Sequence, residues 1–336
     1  MATMRDVAER AGVSVTTVSH VINETRPVSR ELKERVLAVM HELGYQPNLL
    51  ARGLRRGETC TIGVVVPDST NPYFAEVTRG VEDCSFGEGY SVILCNSDGD
   101  PHKEQIYANV LAEKQVDGII FVSVALAEAQ VCALQGQEVP VVVINRKVPW
   151  ASFDSIMTDN ARGGWLATQH LLELGHRRIG CITGPSDLTP SAERIDGYRR
   201  ALEESGLTVD DRLVIKGGFN FDGGYAAARV LLALPDRPTA LFACNDLMAV
   251  GAMRAAQELG LEVPNDLSVV GYDDIELVSF ITPPLTTIYQ PKHEIGVVAA
   301  TMLLERMQDF CLPPRGRILD ISLLVRCSTA HINPRD

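Results

Sequence analysis

The first sixty residues and the rest of the chain carry different rhythms of apolar and polar positions. Val7, Ala8 and Ala11 recur at helical spacing, and Thr3 with Asp6 three positions on can cap a helix reciprocally. Gly12 breaks that run. Ser14 then caps a second helix, with Val18 and Ile22 on its buried side and Val15, Thr16, Ser19, His20 and Asn23 facing out. Leu32, Val36, Met40 and Leu43 predict a third helix ending at Gly44, so three short helices share a small core.

From Thr61 onward short apolar runs alternate with amphipathic stretches. Strands are predicted at 62–66, 92–95, 118–122, 141–144, 179–182, 214–217, 240–243 and 269–271, with helices starting near Tyr73, Lys103, Asn160, Glu193, Phe221, Leu247 and Pro291. Continuous Val/Ile/Phe runs separated by helices describe parallel strands covered on both faces, hence two doubly wound α/β lobes in tandem. The second starts near Asn160 after a connection at 152–156, and the tail supplies a helix at 295–307 and a strand at 321–325. The expected domains are a helical head at 1–46, a linker at 47–58 and a body at 59–336. Within the body, lobe 1 takes about 60–159 and 291–320, and lobe 2 about 160–288 and 321–329.

Charge sharpens this division. The net charge of −12 argues against a polyanionic partner for the whole chain, yet residues 1–60 hold nine Lys and Arg against seven Asp and Glu. Phosphate contact is therefore expected in the head alone. Its second helix presents short, nearly uncharged groups that suit base edges in a major groove, and Arg26, Arg30, Lys33 and Arg35 follow. On pattern alone a generic helical hairpin stays open. In the linker, Leu50 and Leu54 at i, i+4 with Arg52, Arg55 and Arg56 fit either a plain tether or a paired helix that wedges Leu54 into a minor groove.

The eight cysteines have no close pair, which points to buried reduced thiols and to neither disulfides nor a metal. His170, His176 and His293 are expected at surface or cap positions. No apolar run approaches the ~18 residues of a membrane span and the polar amino terminus is no signal peptide, so a cytoplasmic protein without membrane contact is expected.

Ligands of open α/β sheets bind beyond the carboxyl ends of the strands, here in the cleft between lobes. Those ends carry Asn71, Tyr73 and Phe74, then Asn145 and Arg146, and in the second lobe Arg194, Phe221, Asn245, Asp273, Asp274 and Gln290. Rings that stack on C–H faces, mixed with amides and carboxylates that bind vicinal hydroxyls, make a sugar clamp. Asn160 and Asp246 are expected to cap helices instead. No Gly-x-Ser-x-Gly elbow, phosphate loop or dinucleotide fingerprint is present, and Asp273 has no evident partner base, so neither catalysis nor a cofactor is expected.

Arg5-Asp6-Val7-Ala8, Gly12-Val13-Ser14 and Thr17-Val18-Ser19-His20-Val21-Ile22-Asn23 resemble the DNA-binding head of the lac repressor family. The likeness extends over nearly the whole chain. Residues 271–277, 282–288 and Gln290-Pro291 are similar to the family's ribose-responsive branch, with the purine-responsive branch next. The resemblance implies a homodimeric repressor of a pseudo-palindromic operator, with a periplasmic-binding-protein-like body controlled by a small sugar, ribose first. It implies Val15, Thr16 and His20 as base readers with Thr17, Asn23 and Arg26 beside them, and Leu54 as a wedge beside Arg55. It carries effector roles onto Asn71, Tyr73, Phe74, Asn145, Arg146, Arg194, Phe221, Asn245, Asp273 and Gln290. Asn145 departs from the family's usual Asp. Positions where the purine branch holds polar base-binding groups fall on Leu188 and Pro190, which disfavours a purine. An enzyme with a DNA-binding head, and an architectural DNA protein, are the rival classes.

Overall fold

Thr3 opens α1 (Met4–Ala11) with the reciprocal cap: its backbone N–H donates to Asp6 Oδ2 at 2.7 Å, and its hydroxyl accepts from the Asp6 N–H at 3.3 Å. The Thr3 N–H and the Thr3 hydroxyl, both donating to Asp6 Oδ2, hold the Asp6 carboxyl below its ordinary pKa. Gly12 closes the helix in the left-handed region at φ 65°, which glycine adopts without a Cβ penalty. The Ser14 hydroxyl accepts the Thr17 N–H at 3.0 Å and starts α2 (Val15–Asn23); α3 spans Arg30–Glu42. Their shared core is Val7, Ala8, Ala11, Val18, Val21, Val36 and Val39. The buried stripe of α2 is thus Val18 with Val21, and Ile22, expected on the buried side with Val18, is partly buried against it.

The computed structural model describes residues 2–23, 26–45, 59–122, 134, 139–146, 153–185 and 189–332. Two units result, Met1–Thr59 and Cys60–Asp336. The linker helix expected around Leu54 and Arg55 lies outside the described residues.

In the second unit, β1 (Thr61–Val66), β2 (Ser91–Asn96), β3 (Gly118–Val122), β4 (Val141–Ile144), β5 (Asp154–Thr158) and β11 (Gly316–Leu319) form one sheet. Its order is β11-β5-β4-β3-β1-β2, parallel throughout. Strand side chains alternate between faces. Val64, Val66, Ile120, Val122, Val142 and Ile144 join one cluster with Val77 and Val81 of α4 (Pro72–Gly87), whereas Val65, Ile119, Phe121 and Val143 join another with Ala108 and Leu111 of α5 (Pro101–Glu113).

The second sheet has the order β12-β10-β9-β8-β6-β7. It comprises β6 (Ile179–Thr183), β7 (Val214–Lys216), β8 (Ala240–Ala243), β9 (Ser268–Asp273), β10 (Thr286–Tyr289) and β12 (Ser322–Leu324), the last antiparallel to β10. Its helices are α6 (Asn160–Glu173), α7 (Thr189–Glu204), α8 (Phe221–Leu232), α9 (Asp246–Glu258) and the short α10 (Leu277–Phe280). The last helix, α11 (Lys292–Gln308), packs on α4 and on β3, β4 and β5. The chain therefore passes between lobes three times, after Thr158, after Tyr289 and after Leu319.

Two strands differ from expectation. The stretch read as a connection at 152–156 runs into β5 (Asp154–Thr158), a strand that is entirely buried, and β11 was not foreseen. Asp154 makes β5 look like a loop, but its carboxylate receives Arg306 Nε and Nη2 at 3.1 and 2.9 Å and the Arg315 N–H at 2.8 Å. Burial pushes that carboxyl up, and the two guanidinium groups outweigh burial and hold it below its usual range. The cysteines divide: Cys95, Cys181 and Cys244 are buried as expected, but Cys60, Cys311 and Cys327 are exposed. His176 is buried rather than at the surface, sharing Nδ1 with the Thr239 hydroxyl and Nε2 with Ser268 Oγ and the Ala330 carbonyl.

Candidate functional site

Helix α2 presents the first candidate surface. Val15 is 40% exposed, Thr16 is exposed, and Thr17 and His20 are half-buried. Thr17 Oγ1 is 2.9 Å from Ser14 Oγ, so its hydroxyl is engaged in the turn that starts the helix. Asn23 ends α2, and Arg26 is exposed beyond it. This is a short, mostly polar helix face whose N-terminal cap is satisfied within the turn.

The second candidate is a cavity of about 480 Å³ at the carboxyl ends of the strands of both lobes. Lobe 1 contributes Asn71, Tyr73 and Phe74 from the start of α4 and Asn145 after β4; lobe 2 contributes Arg194, Asn245 and Asp273. Tyr73 and Phe74 meet edge to face with centroids 5.1 Å apart. Asn145, in the left-handed region at φ 54°, donates from Nδ2 to the Tyr73 hydroxyl at 2.5 Å. Its Oδ1 is buried and has no partner among the described residues. Burial pushes the Tyr73 phenol well above its ordinary pKa, so the hydroxyl keeps its proton.

Asp273 and Arg194 sit together in lobe 2. Arg194 Nη1 lies 3.8 Å from Asp273 Oδ1 and donates to the Cys244 carbonyl at 2.5 Å; Nε donates to Asn160 Oδ1 at 3.0 Å. The guanidinium stacks 3.6 Å from the Tyr272 ring centre. Close packing makes this reach possible. A Cβ at Gly164 of α6 would stand 2.1 Å from the Arg194 carbonyl, so only glycine lets α7 approach α6 this closely. Burial pushes the Asp273 carboxyl up to about 6, against the opposing pull of Arg194, the Gln290 amide and Lys292.

Several expected residues stand elsewhere. Gln290 is wholly buried behind the cavity, with Nε2 donating to Asp273 Oδ1 and Oε1 accepting from the Thr158 hydroxyl, each at 2.8 Å. Phe221 occupies the first turn of α8 at 42% exposure and does not line the cavity; the ring that does is Phe219. A Cβ at Gly184 would fall 2.2 Å from that ring, and the pair Gly217-Gly218 before it was the available signal. Arg146 is half-buried and also outside the lining.

Asn160 and Asp246 are not caps. Asp159 and Asn245 cap α6 and α9, while Asp246 accepts from the Ile275 N–H at 2.8 Å and the Thr287 hydroxyl at 2.6 Å. Asn160 completes a ring: its Nδ2 donates to the Thr158 carbonyl at 3.2 Å. Thr158, Gln290, Asp273, Arg194 and Asn160 thus form one closed circuit through two of the interlobe crossings. Among the described residues no cluster of His, Cys, Asp and Glu fits a metal ion, and no helix is long and apolar enough to cross a membrane.

The comparisons agree with this layout. Residues 3–48 match the family described as bacterial regulatory proteins, lacI family, and 168–329 match the periplasmic binding protein-like domain. The ribose operon repressor of Escherichia coli (strain K12) is 46% identical over 312 residues, covering 91% of this chain and 93% of its own. The HTH-type transcriptional repressor PurR of Aliivibrio salmonicida is 44% identical over 310 residues, 92% of this chain and 93% of that one. Among solved structures, the lac repressor dimer bound to operator and the anti-inducer ONPF superposes with a TM-score of 0.88 at 31% identity, covering 98% of this chain and 99% of that chain. A LacI family transcriptional regulator from Enterococcus faecium with bound ribose gives 0.75 at 35% identity, covering 81% of this chain and all of that one. These relatives are named as repressors or regulators, not enzymes. A helix-turn-helix head and a two-lobed binding body in one chain, matched at this level over nine-tenths of its length, make it a transcriptional repressor of the lac repressor family.

Proposed function

We propose that the chain represses genes of ribose utilisation and leaves its operator when ribose fills the cavity. In this reading residues 1–46 bind DNA as one half of a homodimer on a pseudo-palindrome, 47–58 connect, and 59–336 bind effector and partner. Val15, Thr16 and His20 read bases, with Thr17, Asn23 and Arg26 beside them and Leu54 and Arg55 in the minor groove. Effector contacts fall to Asn71, Tyr73, Phe74, Asn145, Arg194, Asn245 and Asp273. Gln290 acts from behind, and Phe221 and Arg146 join only if the lobes close further.

The observation that carries this reading is the Asp273–Arg194 pair. Asp273 Oδ1 is engaged by Gln290, which leaves Oδ2 as an acceptor for ligand hydroxyls beside a fixed guanidinium, with the faces of Tyr73, Phe74 and Phe219 nearby. Ribose as the ligand draws support from the ribose operon repressor's identity and the ribose-bound regulator's fold. Closing the lobes on ligand shifts a two-state equilibrium, and a coupling of ~1–3 kcal/mol changes operator affinity about 5- to 150-fold.

A purine base is the second reading, supported by the similarity to PurR. Against it, Pro190, buried on the cavity wall, offers no side-chain hydrogen bond where the purine branch places a polar group; Leu188 lies outside the described residues. Calorimetric titration of the full chain with ribose and with hypoxanthine decides. Ribose binding with no heat from hypoxanthine supports the proposal, and the reverse overturns it.

A further inference from the structure

We infer that Lys292 is a positioning residue for the effector: reaching from lobe 1, its ammonium holds the Asp273-Asp274 turn of lobe 2 and so ties the two walls of the cavity together from behind. This rests on the cavity being the effector site.

Lys292 opens α11, a helix packed into lobe 1. A Cβ at Gly80 of α4 would stand 2.1 Å from the His293 carbonyl, and one at Gly296 would stand 2.1 Å from the Val77 carbonyl, so α4 and α11 touch backbone to backbone. His293 Nε2 adds a contact to Asp83 Oδ2 at 2.9 Å. Helices packed this closely move as one body, and the amino end of α4 carries Tyr73 and Phe74 on the cavity wall.

From that body the Lys292 side chain, 4% exposed, crosses to lobe 2. Its Nζ donates to the Asp273 carbonyl at 2.9 Å and to the Asp274 carbonyl at 2.6 Å. Both residues are left-handed, at φ 115° and 55°, a conformation that residues with a side chain keep only where surrounding contacts hold it. Gln290 engages Asp273 Oδ1, and Arg326 Nη2 engages Asp274 Oδ1 at 2.6 Å. The carboxylates of the turn thus have their own partners, and Lys292 secures its backbone. Lys292 does not line the cavity, so it acts on a ligand through Asp273.

Charge makes the tie measurable. Nζ also lies 3.7 Å from Glu76 Oε2 of α4. Burial and Glu76 push the Asp273 carboxyl up, whereas Arg194 of α7, the Gln290 amide and Lys292 of α11 pull it down. Burial raises the Glu76 carboxyl as well. Asp246 of α9 and the phenols of Tyr73 and Tyr272 also feel the Asp273 charge, and each is held up mainly by burial. Removing Lys292 or Glu76 therefore moves the ionisation of Asp273 in opposite directions.

The test uses full-length wild type, Lys292→Met and Glu76→Gln, titrated calorimetrically with ribose and with hypoxanthine across pH, and hydrogen exchange of the ligand-free proteins. With whichever compound wild type binds, Lys292→Met should weaken binding at pH 7.5 by about 10-fold or more. The pH below which affinity falls should move up in Lys292→Met and down in Glu76→Gln, a readout that a merely structural role leaves in place. Without ligand, Lys292→Met should speed exchange in residues 273–276 of lobe 2 and 72–77 of lobe 1 together, by at least about 5-fold, with β6 at its wild-type rate. Wild-type affinity and pH profile in Lys292→Met, an unmoved profile in Glu76→Gln, or exchange that rises in one lobe alone overturns the inference. If wild type binds neither compound the effector reading falls, and exchange alone decides the tie: faster in both segments upholds it, wild-type rates overturn it.

Discussion

Gln290 donates its amide N–H to Asp273 Oδ1 while accepting the Thr158 hydroxyl, and that pair of contacts fixes which oxygen of Asp273 is left for a ligand. Since Oε1 must face the Thr158 donor, Nε2 must face Asp273. Thr158 does not line the cavity, yet Thr158→Val should weaken effector binding about 3- to 10-fold, the worth of one hydrogen bond of ~1 kcal/mol. Titration calorimetry on the variant checks this; an unchanged affinity removes the circuit from the account.

Acid should loosen the site. Asp273 ionises at about 6 in the fold against ~3.9 in an unfolded chain. Its contribution to stability is therefore fully present below ~3.9 and is lost as pH rises through 6, because the charged form is the one burial disfavours. Ligand hydroxyls donating to the carboxylate favour the ionised form, so binding expels a proton at acid pH. Affinity should be flat above about pH 7 and fall by up to ~10-fold per unit below 6. A profile level from pH 7.5 to 5 contradicts the assigned role of Asp273.

Lobe 1 depends on a buried ion-pair knot. Asp154 joins α11 and the residues before β11 through Arg306 and Arg315, and its side chain is fully buried. Asp154→Ala leaves a buried guanidinium unpaired and should cost about 3–5 kcal/mol, read as a large fall in denaturation midpoint. A loss under ~1 kcal/mol would mean that β5 is held by its apolar packing alone.

The head and the core strands were legible because their local signals agree with their burial. Thr3 and Asp6 announce a cap that forms, and apolar runs such as Val141–Ile144 can only be strands covered on both faces. Chemistry at the strand ends was legible in type: Asn71, Tyr73, Asn145, Arg194 and Asp273 do converge. What the sequence hid are contacts made across long separations. Thr158 and Gln290 are 132 positions apart, and nothing near Asn160 says that its amide will meet Arg194 rather than cap α6. Phe221 stood out as the aromatic at the start of α8 beyond a strand end, but the left-handed turn at φ 61° puts the earlier ring, Phe219, on the cavity wall. β11, an exposed edge strand of four residues, has too little burial to leave a pattern.

Recognition of DNA should separate from effector binding. His20→Ala on α2 is expected to cost ~1–3 kcal/mol of operator affinity and to relax the base preference at one position of each half-site, with ribose affinity unaltered. Equal losses on specific and random duplex would mean that His20 makes only backbone contact.

The central claim is that filling the cavity changes the grip on DNA, and fluorescence anisotropy of the full chain on its operator, at fixed salt, with and without saturating ribose tests it most directly. The account predicts a 5- to 150-fold (order-of-magnitude) fall in operator affinity that Asp273→Ala abolishes without weakening ligand-free binding. Identical titration curves with and without ribose, from protein shown by calorimetry to be saturated, would contradict it.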